Sequence, residues 1–289
     1  MALLLVGLRI GCNAWLNVLQ KRALPQLSSS LLVTATFVLL AVLVTPFLFF
    51  YSFINLPAAF WGNMFLVVAL DLPGNFFLVK SIGLADLSLI GPLNAYKPVV
   101  ALLLGFFVLG EFPSMQGWAG VAIIFMGSLW LAPKREVFHS PQTKSFWRNR
   151  GAQLRLLALV LTAAASIFLK AAINASSAMH TLIAWAVLGA LAAIVLLLIG
   201  RREQARTSVR QTREKFGALL LMAGLFLGMQ LVTLQAFALL NVAYVLALFQ
   251  LSGLVNVVLG WKLFNEGDIL RRAWASVIMI AGAALLLFK

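Results

Sequence analysis

"VVALLLGFFVLGEFPSMQGWAGVAIIFMGSLWLA", residues 99–132, decides how this chain folds. Two oily runs flank the break "GEFPS" at 110–114, where glycine, proline and serine favour a turn. The pattern returns as "LVNVVLGWKLFNEGDILRRAWASVIMIAGAALLLF" at 254–288. Gly105 then matches Gly260, Glu111 matches Glu266 and Gly127 matches Gly282, each 155 positions apart. Further upstream, "LNVLQKRAL" (16–24) resembles "ASIFLKAAI" (165–173) and pairs Lys21 with Lys170 at an offset of 149. One helical unit has been written twice.

Working outward, the same kind of run fills the chain. Of 289 residues, 63% are hydrophobic and 10% charged, and the mean hydropathy is +1.01. A soluble domain carries about 25% charged residues. This composition cannot clothe a water-facing surface, so the sequence reads as an all-α integral membrane protein. Candidate spans are 2–20, 31–54, 58–80, 87–109, 115–132, 154–173, 181–199, 217–240, 242–264 and 269–288, which makes ten transmembrane helices. The runs are too long for barrel strands and do not alternate. Arg9 interrupts the first run, and no small-residue cleavage site follows, so no cleaved signal is expected. Cys12 is a lone cysteine and closes no disulfide within the chain.

The net charge of +14 sits between the runs. Loops after spans 1, 3, 5, 7 and 9 hold 17 of the 22 basic residues, from Lys21 and Arg22 through Arg155 to Arg271 and Arg272. Loops after the even-numbered spans hold essentially none. The positive-inside rule therefore places odd loops in the cytoplasm and both termini outside. The reading is a multi-pass protein of the cytoplasmic (inner) membrane, its basic loops lying near anionic lipid. With no domain to carry a basic face, nucleic-acid binding is not expected. The units are 1–132, a basic cytoplasmic linker at 133–153, and 154–289. Five spans per unit means that the second enters the membrane upside down, giving two inverted five-helix repeats.

The "LLGFFVLGE…G…GSLWLA" and "VLGWKLFNE…AGAALLL" segments resemble the two EamA repeats of the drug/metabolite transporter superfamily. The resemblance implies a ten-helix transporter with a central cavity that opens to one side at a time. It further implies export or exchange of small metabolites. The charge bias departs from the many family members that keep their termini in the cytoplasm, which bears on transport direction.

Polar residues inside the runs mark the candidate site, because a mid-helix Lys, Arg or Asp costs about 2.5–3.5 kcal/mol on insertion scales. Arg9, Asn13 and Asn17 recur every four residues on one face of the first helix. Asp71 and Asn75 flank Pro73 and Gly74, where proline removes a backbone donor. Asn94, Tyr96 and Lys97 lie between Pro92 and Pro98. In the second unit, Gln230 and Gln235 align with Asn75 and Lys80, and Gln250, Ser252 and Asn256 occupy the ninth run. The expected substrate-binding set is Arg9, Asn13, Asn17, Asp71, Asn75, Asn94, Tyr96, Lys97, Gln230, Gln250 and Asn256. Within the oil stand two cations, Arg9 and Lys97, against one anion, Asp71. Such a balance suits an anionic or zwitterionic ligand.

Other polar residues read as structural. Glu111 and Glu266 lie at helix ends and suit capping. Lys170 and Lys262 reach toward headgroups. His180 has no ligating companion, so no metal and no cofactor is expected. Trp61, Trp118, Trp261 and Trp274 suit an interfacial belt, while Trp15 and Trp185 lie deeper and suit a cavity wall.

The functional expectation is a monomeric secondary transporter for a small polar metabolite, with membrane lipids as surroundings and a proton as a candidate coupling ion. One alternative is efflux of cationic or aromatic drugs, which needs a deep unpaired carboxylate. Another is an intramembrane lipid-modifying enzyme or flippase subunit. No DDxxD, HExxH or GxSxG pattern supports the enzyme.

Overall fold

Lipid offers no water to satisfy peptide groups, so an apolar chain must satisfy them within helices. The computed structural model describes residues 2–23, 27–84, 94, 96–131, 150–199, 215–252 and 269–287, and no strand occurs among them. Ten α-helices follow in chain order. They are α1 (Ala2–Ala23), α2 (Ser29–Val44), α3 (Ala58–Leu84), α4 (Tyr96–Leu109), α5 (Met115–Leu131), α6 (Arg150–Ala175), α7 (Ala178–Ile199), α8 (Phe216–Leu239), α9 (Val242–Phe249) and α10 (Ile269–Leu287). Five segments are long and apolar enough to cross a membrane: Ser29–Phe49, Ala58–Ser81, Arg150–Ala175, Ala178–Leu198 and Phe216–Leu239. The chain is a multi-pass helical membrane protein.

Local chemistry sets the helix ends. Ser28 caps α2 through its hydroxyl, which accepts from the Leu31 N–H at 3.3 Å. The second run was expected to continue to residue 54, but α2 stops at Val44 and tightens into a 3₁₀ turn over Thr45–Phe49. Pro46 is the reason, since it has no N–H to extend the ladder. Ser114 accepts from the Gly117 N–H at 3.1 Å and starts α5. Ser177 accepts from the His180 N–H at 3.3 Å and starts α7. Gly110 takes φ +63°, a left-handed conformation that favours glycine, and turns the chain out of α4. By contrast, α3 continues through Pro73.

The principal packing contacts all join the first five helices to the last five. α1 lies on α8, α2 on α7, α3 on α6, α4 on α9 and α5 on α10. Exchanging each helix for the one five places on carries α1–α8 into α6–α3 and leaves the other three pairs unchanged. Small residues let backbones approach. A Cβ on Gly127 would stand 2.6 Å from Met279 Cγ, and one on Gly282 would stand 2.9 Å from the Gly120 carbonyl. These two glycines, matched in the sequence repeat, therefore both serve the α5–α10 contact. Gly74 does the same for α3 on α6, where its Cβ would meet Thr162 Cγ2 at 2.7 Å.

Candidate functional site

Four ionisable side chains converge inside this bundle, each brought by a different helix or its approach. Arg9 projects from α1 toward α8 and α9. Its Nε donates to Thr233 Oγ1 at 3.1 Å, and its guanidinium carbon stands 3.6 Å from the centroid of the Phe249 ring. A hydroxyl and an aromatic face hold the cation, and neither neutralises it. Thr233 passes its own proton to the Met229 carbonyl at 2.7 Å, which fixes its oxygen as an acceptor.

Asp71 lies in the middle of α3. Its Oδ2 accepts from Trp185 Nε1 at 2.9 Å. Asn75, one turn on, donates from Nδ2 to the Asp71 backbone carbonyl at 2.9 Å. Trp185 is 1% exposed and packs with Phe37 and Phe226 at ring-centroid distances of 5.1 and 5.4 Å. This triad anchors the carboxylate's donor, so Trp185 is a core residue that orients Asp71. Trp15, the other deep tryptophan of the sequence, is 65% exposed on the outside of the bundle.

Lys97 stands at the start of α4, within Coulombic reach of Arg9, Asp71 and Arg155. Arg155 corrects the sequence reading. Its place near Arg148 and Arg150 put it among the linker bases, but α6 begins at Arg150 and carries Arg155 more than a turn into the helix. There it is 8% exposed. Its Nε and Nη2 both donate to Asn94 Oδ1, at 3.0 and 2.7 Å. Among the described residues the interior thus holds three cations, not two, with Lys97 in reach of both arginines and of Asp71. A hydropathy window cannot find the third, because α6 starts inside a run of basic residues.

Of the remaining expected residues, Asn75 lines a small cavity of about 20 Å³ with Gln20, Thr36, Phe37 and Phe226. That is room for about one water. Gln230 is buried on α8. Asn13 is half-buried on α1. Gln250 folds back on the Leu246 carbonyl at 3.4 Å. Tyr96 is 43% exposed, with its ring against Phe125 at 5.1 Å. The Asn17 side chain and all of Asn256 lie outside the described residues.

The residues read as structural have partners within the protein, and for Lys170, expected to reach toward headgroups, this is a correction, because carbonyls at the end of α8 hold its ammonium. Glu111 Oε2 accepts from the Val242 N–H at 3.3 Å and so caps α9, a helix of the other half. Lys170 Nζ donates to the Phe237 and Leu240 carbonyls at the end of α8. Burial raises the Glu111 carboxyl above its usual range, while Lys170 and the Val242 N–H pull it back down. His180 binds Ser177 Oγ and the Ser52 carbonyl at 2.8 and 3.2 Å and packs against Tyr51 and Phe53. Among the described residues no group of three His, Cys, Asp or Glu side chains is placed to hold a metal ion. Glu266 and Lys262 lie outside the described residues.

Known proteins supply the context. No protein of curated function matches the sequence. One solved crystal structure superposes over 99% of this chain and 96% of its own, with a TM-score of 0.67 at 16% identity, a likeness of fold. The model of the EamA-like transporter family matches residues 2–132, which hold α1 to α5 and the Arg9, Asp71 and Lys97 positions. Over those residues, somewhat under half of the chain, the protein is similar to the EamA-like transporter family.

Proposed function

We propose that the chain is a secondary transporter, working by alternating access, for a small polar metabolite that is anionic or zwitterionic. An amino acid, an organic acid or a phosphorylated compound fits this description. One observation carries the reading: among the described residues Lys97 stands within Coulombic reach of two further interior cations, Arg9 and Arg155, and of one interior carboxylate, Asp71. A buried positive surplus is costly unless water or an anion meets it. Asp71 takes up part of the surplus in the empty protein, and an arriving anion takes up the rest. The resemblance of 99–132 to 254–288, with the exchange-related pairs α1–α8 and α3–α6, supports two related halves. Rocking one half against the other then exposes the same charges first to one face and then to the other. The loop charges support an orientation with the termini outside and the basic linkers in the cytoplasm. Asp71 and Lys97 are the groups through which a proton could couple.

Heating the purified protein with a panel of carboxylates, amino acids and phosphate esters tests this. A bound member raises Tm by mass action, and Lys97→Ala removes that rise. In proteoliposomes loaded with the stabilising compound, Lys97→Ala and Asp71→Asn lower exchange at least tenfold. Undiminished exchange in both variants, at normal expression, refutes the site. The aromatic triad beside Asp71 favours one second reading, efflux of aromatic cations. Under that reading cationic dyes stabilise the protein and Asp71→Asn abolishes the effect.

A further inference from the structure

Resting on the anion-binding reading above, we propose that the site takes a dianion such as a phosphate monoester or a dicarboxylate, with Arg155 as the arm that holds its second charge. Arg155 presents five N–H donors in a planar fork. Nε and Nη2 share one neutral oxygen, Asn94 Oδ1, which orients the guanidinium and leaves its charge intact. Nη1 is buried and has no hydrogen-bond partner among the described residues. An orphaned buried donor costs about 1–3 kcal/mol, more when charged. Proteins keep such groups where something else completes them. The free edge of a guanidinium matches the paired oxygens of a phosphate or carboxylate.

Position and charge point the same way. Asn94, which aims Arg155, is three residues ahead of Lys97 in the chain. Lys97 in turn feels Arg155, Arg9 and Asp71. Among the described residues Asp71 offsets one of three interior positive charges, so two remain. A monoanion answers one of them, and a dianion answers both. Asn94 also explains why an uncharged residue is used at this place: a carboxylate there would occupy Arg155 and close the site.

The test uses sulfate and methanesulfonate, which share their oxygen geometry and differ by one charge. Purified protein at pH 7 is titrated with each at millimolar concentration, chloride holding ionic strength constant, and Tm is read. In the wild type sulfate half-saturates at a concentration about tenfold or more below methanesulfonate, the ratio expected for one further ion pair. Arg155→Gln raises the sulfate midpoint about tenfold and leaves the methanesulfonate midpoint in place. Asn94→Asp, which gives Arg155 an internal counter-ion and keeps its hydrogen bonds, does the same and serves if Arg155→Gln does not fold. Equal midpoints in the wild type, or an unchanged sulfate midpoint in the folded variant, overturn the dianion and leave the anion site standing. If neither ion shifts the wild type, the anion site itself fails, and this inference with it.

Discussion

At the scale of single residues, the molecule is decided by what each buried charge touches. Trp185 gives Asp71 its one indole N–H. Trp185→Phe keeps a ring in the triad and removes that donor, which costs about 1–3 kcal/mol. The expected result is a lower Tm in detergent. Its combination with Asp71→Asn should be less than additive, as a double-mutant cycle would measure. Glu111 gives a prediction in pH. Its folded carboxyl lies above the ordinary 4.5 because of burial, so the native state holds its proton longer than the unfolded chain does. Stability is then greatest below 4.5 and falls as pH climbs through the raised value. Glu111→Gln keeps an oxygen for the Val242 N–H and should flatten Tm over that window. The capping role of Glu111 was legible in the sequence, because a glutamate at a helix boundary has few other uses. Arg155 was not legible: a basic residue at the mouth of a basic linker looks like its neighbours until the helix start is known. Thr233 escaped notice because an uncharged hydroxyl in an oily run normally bonds its own helix, and this one holds Arg9 as well.

At the scale of helices, each of the ten oily runs holds an α-helix among the described residues, and five of these segments are long and apolar enough to cross a membrane. Hydropathy reads the presence of a helix well and its ends less well. It missed the stop at Pro46, because a proline hardly lowers the apolar count, although its chemistry was there to be read. The repeated glycines were more informative than their composition suggested. Gly127→Ala and Gly282→Ala push methyl groups into α10 and α5, and each should cost about 1–3 kcal/mol of overpacking. Gly224→Ala is the control, since nothing lies within 4 Å of a Cβ there. Helix propensity predicts that it leaves stability unchanged or raises it by up to about 1 kcal/mol. Thermal unfolding of the three variants in one detergent separates these signs. Equal losses at all three positions would mean that glycine matters here for flexibility and not for close approach.

At the scale of the whole molecule, the sequence repeat raises the expectation of two related units but does not say which helix sits on which. Partner choice depends on shape at positions such as Gly74, and an apolar count carries no shape. The structure sends every principal contact across the middle of the chain. Cutting within 133–149 should therefore yield two pieces that are degraded when expressed singly and that co-purify when expressed together. Accumulation of either piece alone as a stable membrane protein would contradict this. The arrangement also has a consequence for biogenesis. When α5 leaves the ribosome, α1 and α3 are already in the membrane, yet the helices on which they will rest have not been synthesised. During that interval something must shelter the unfinished faces and the Arg9 guanidinium, whether an insertase, lipid headgroups or a local film of water. Premature termination in the second unit thus leaves an orphan suited to quality-control proteolysis, while damage confined to the linker is survivable.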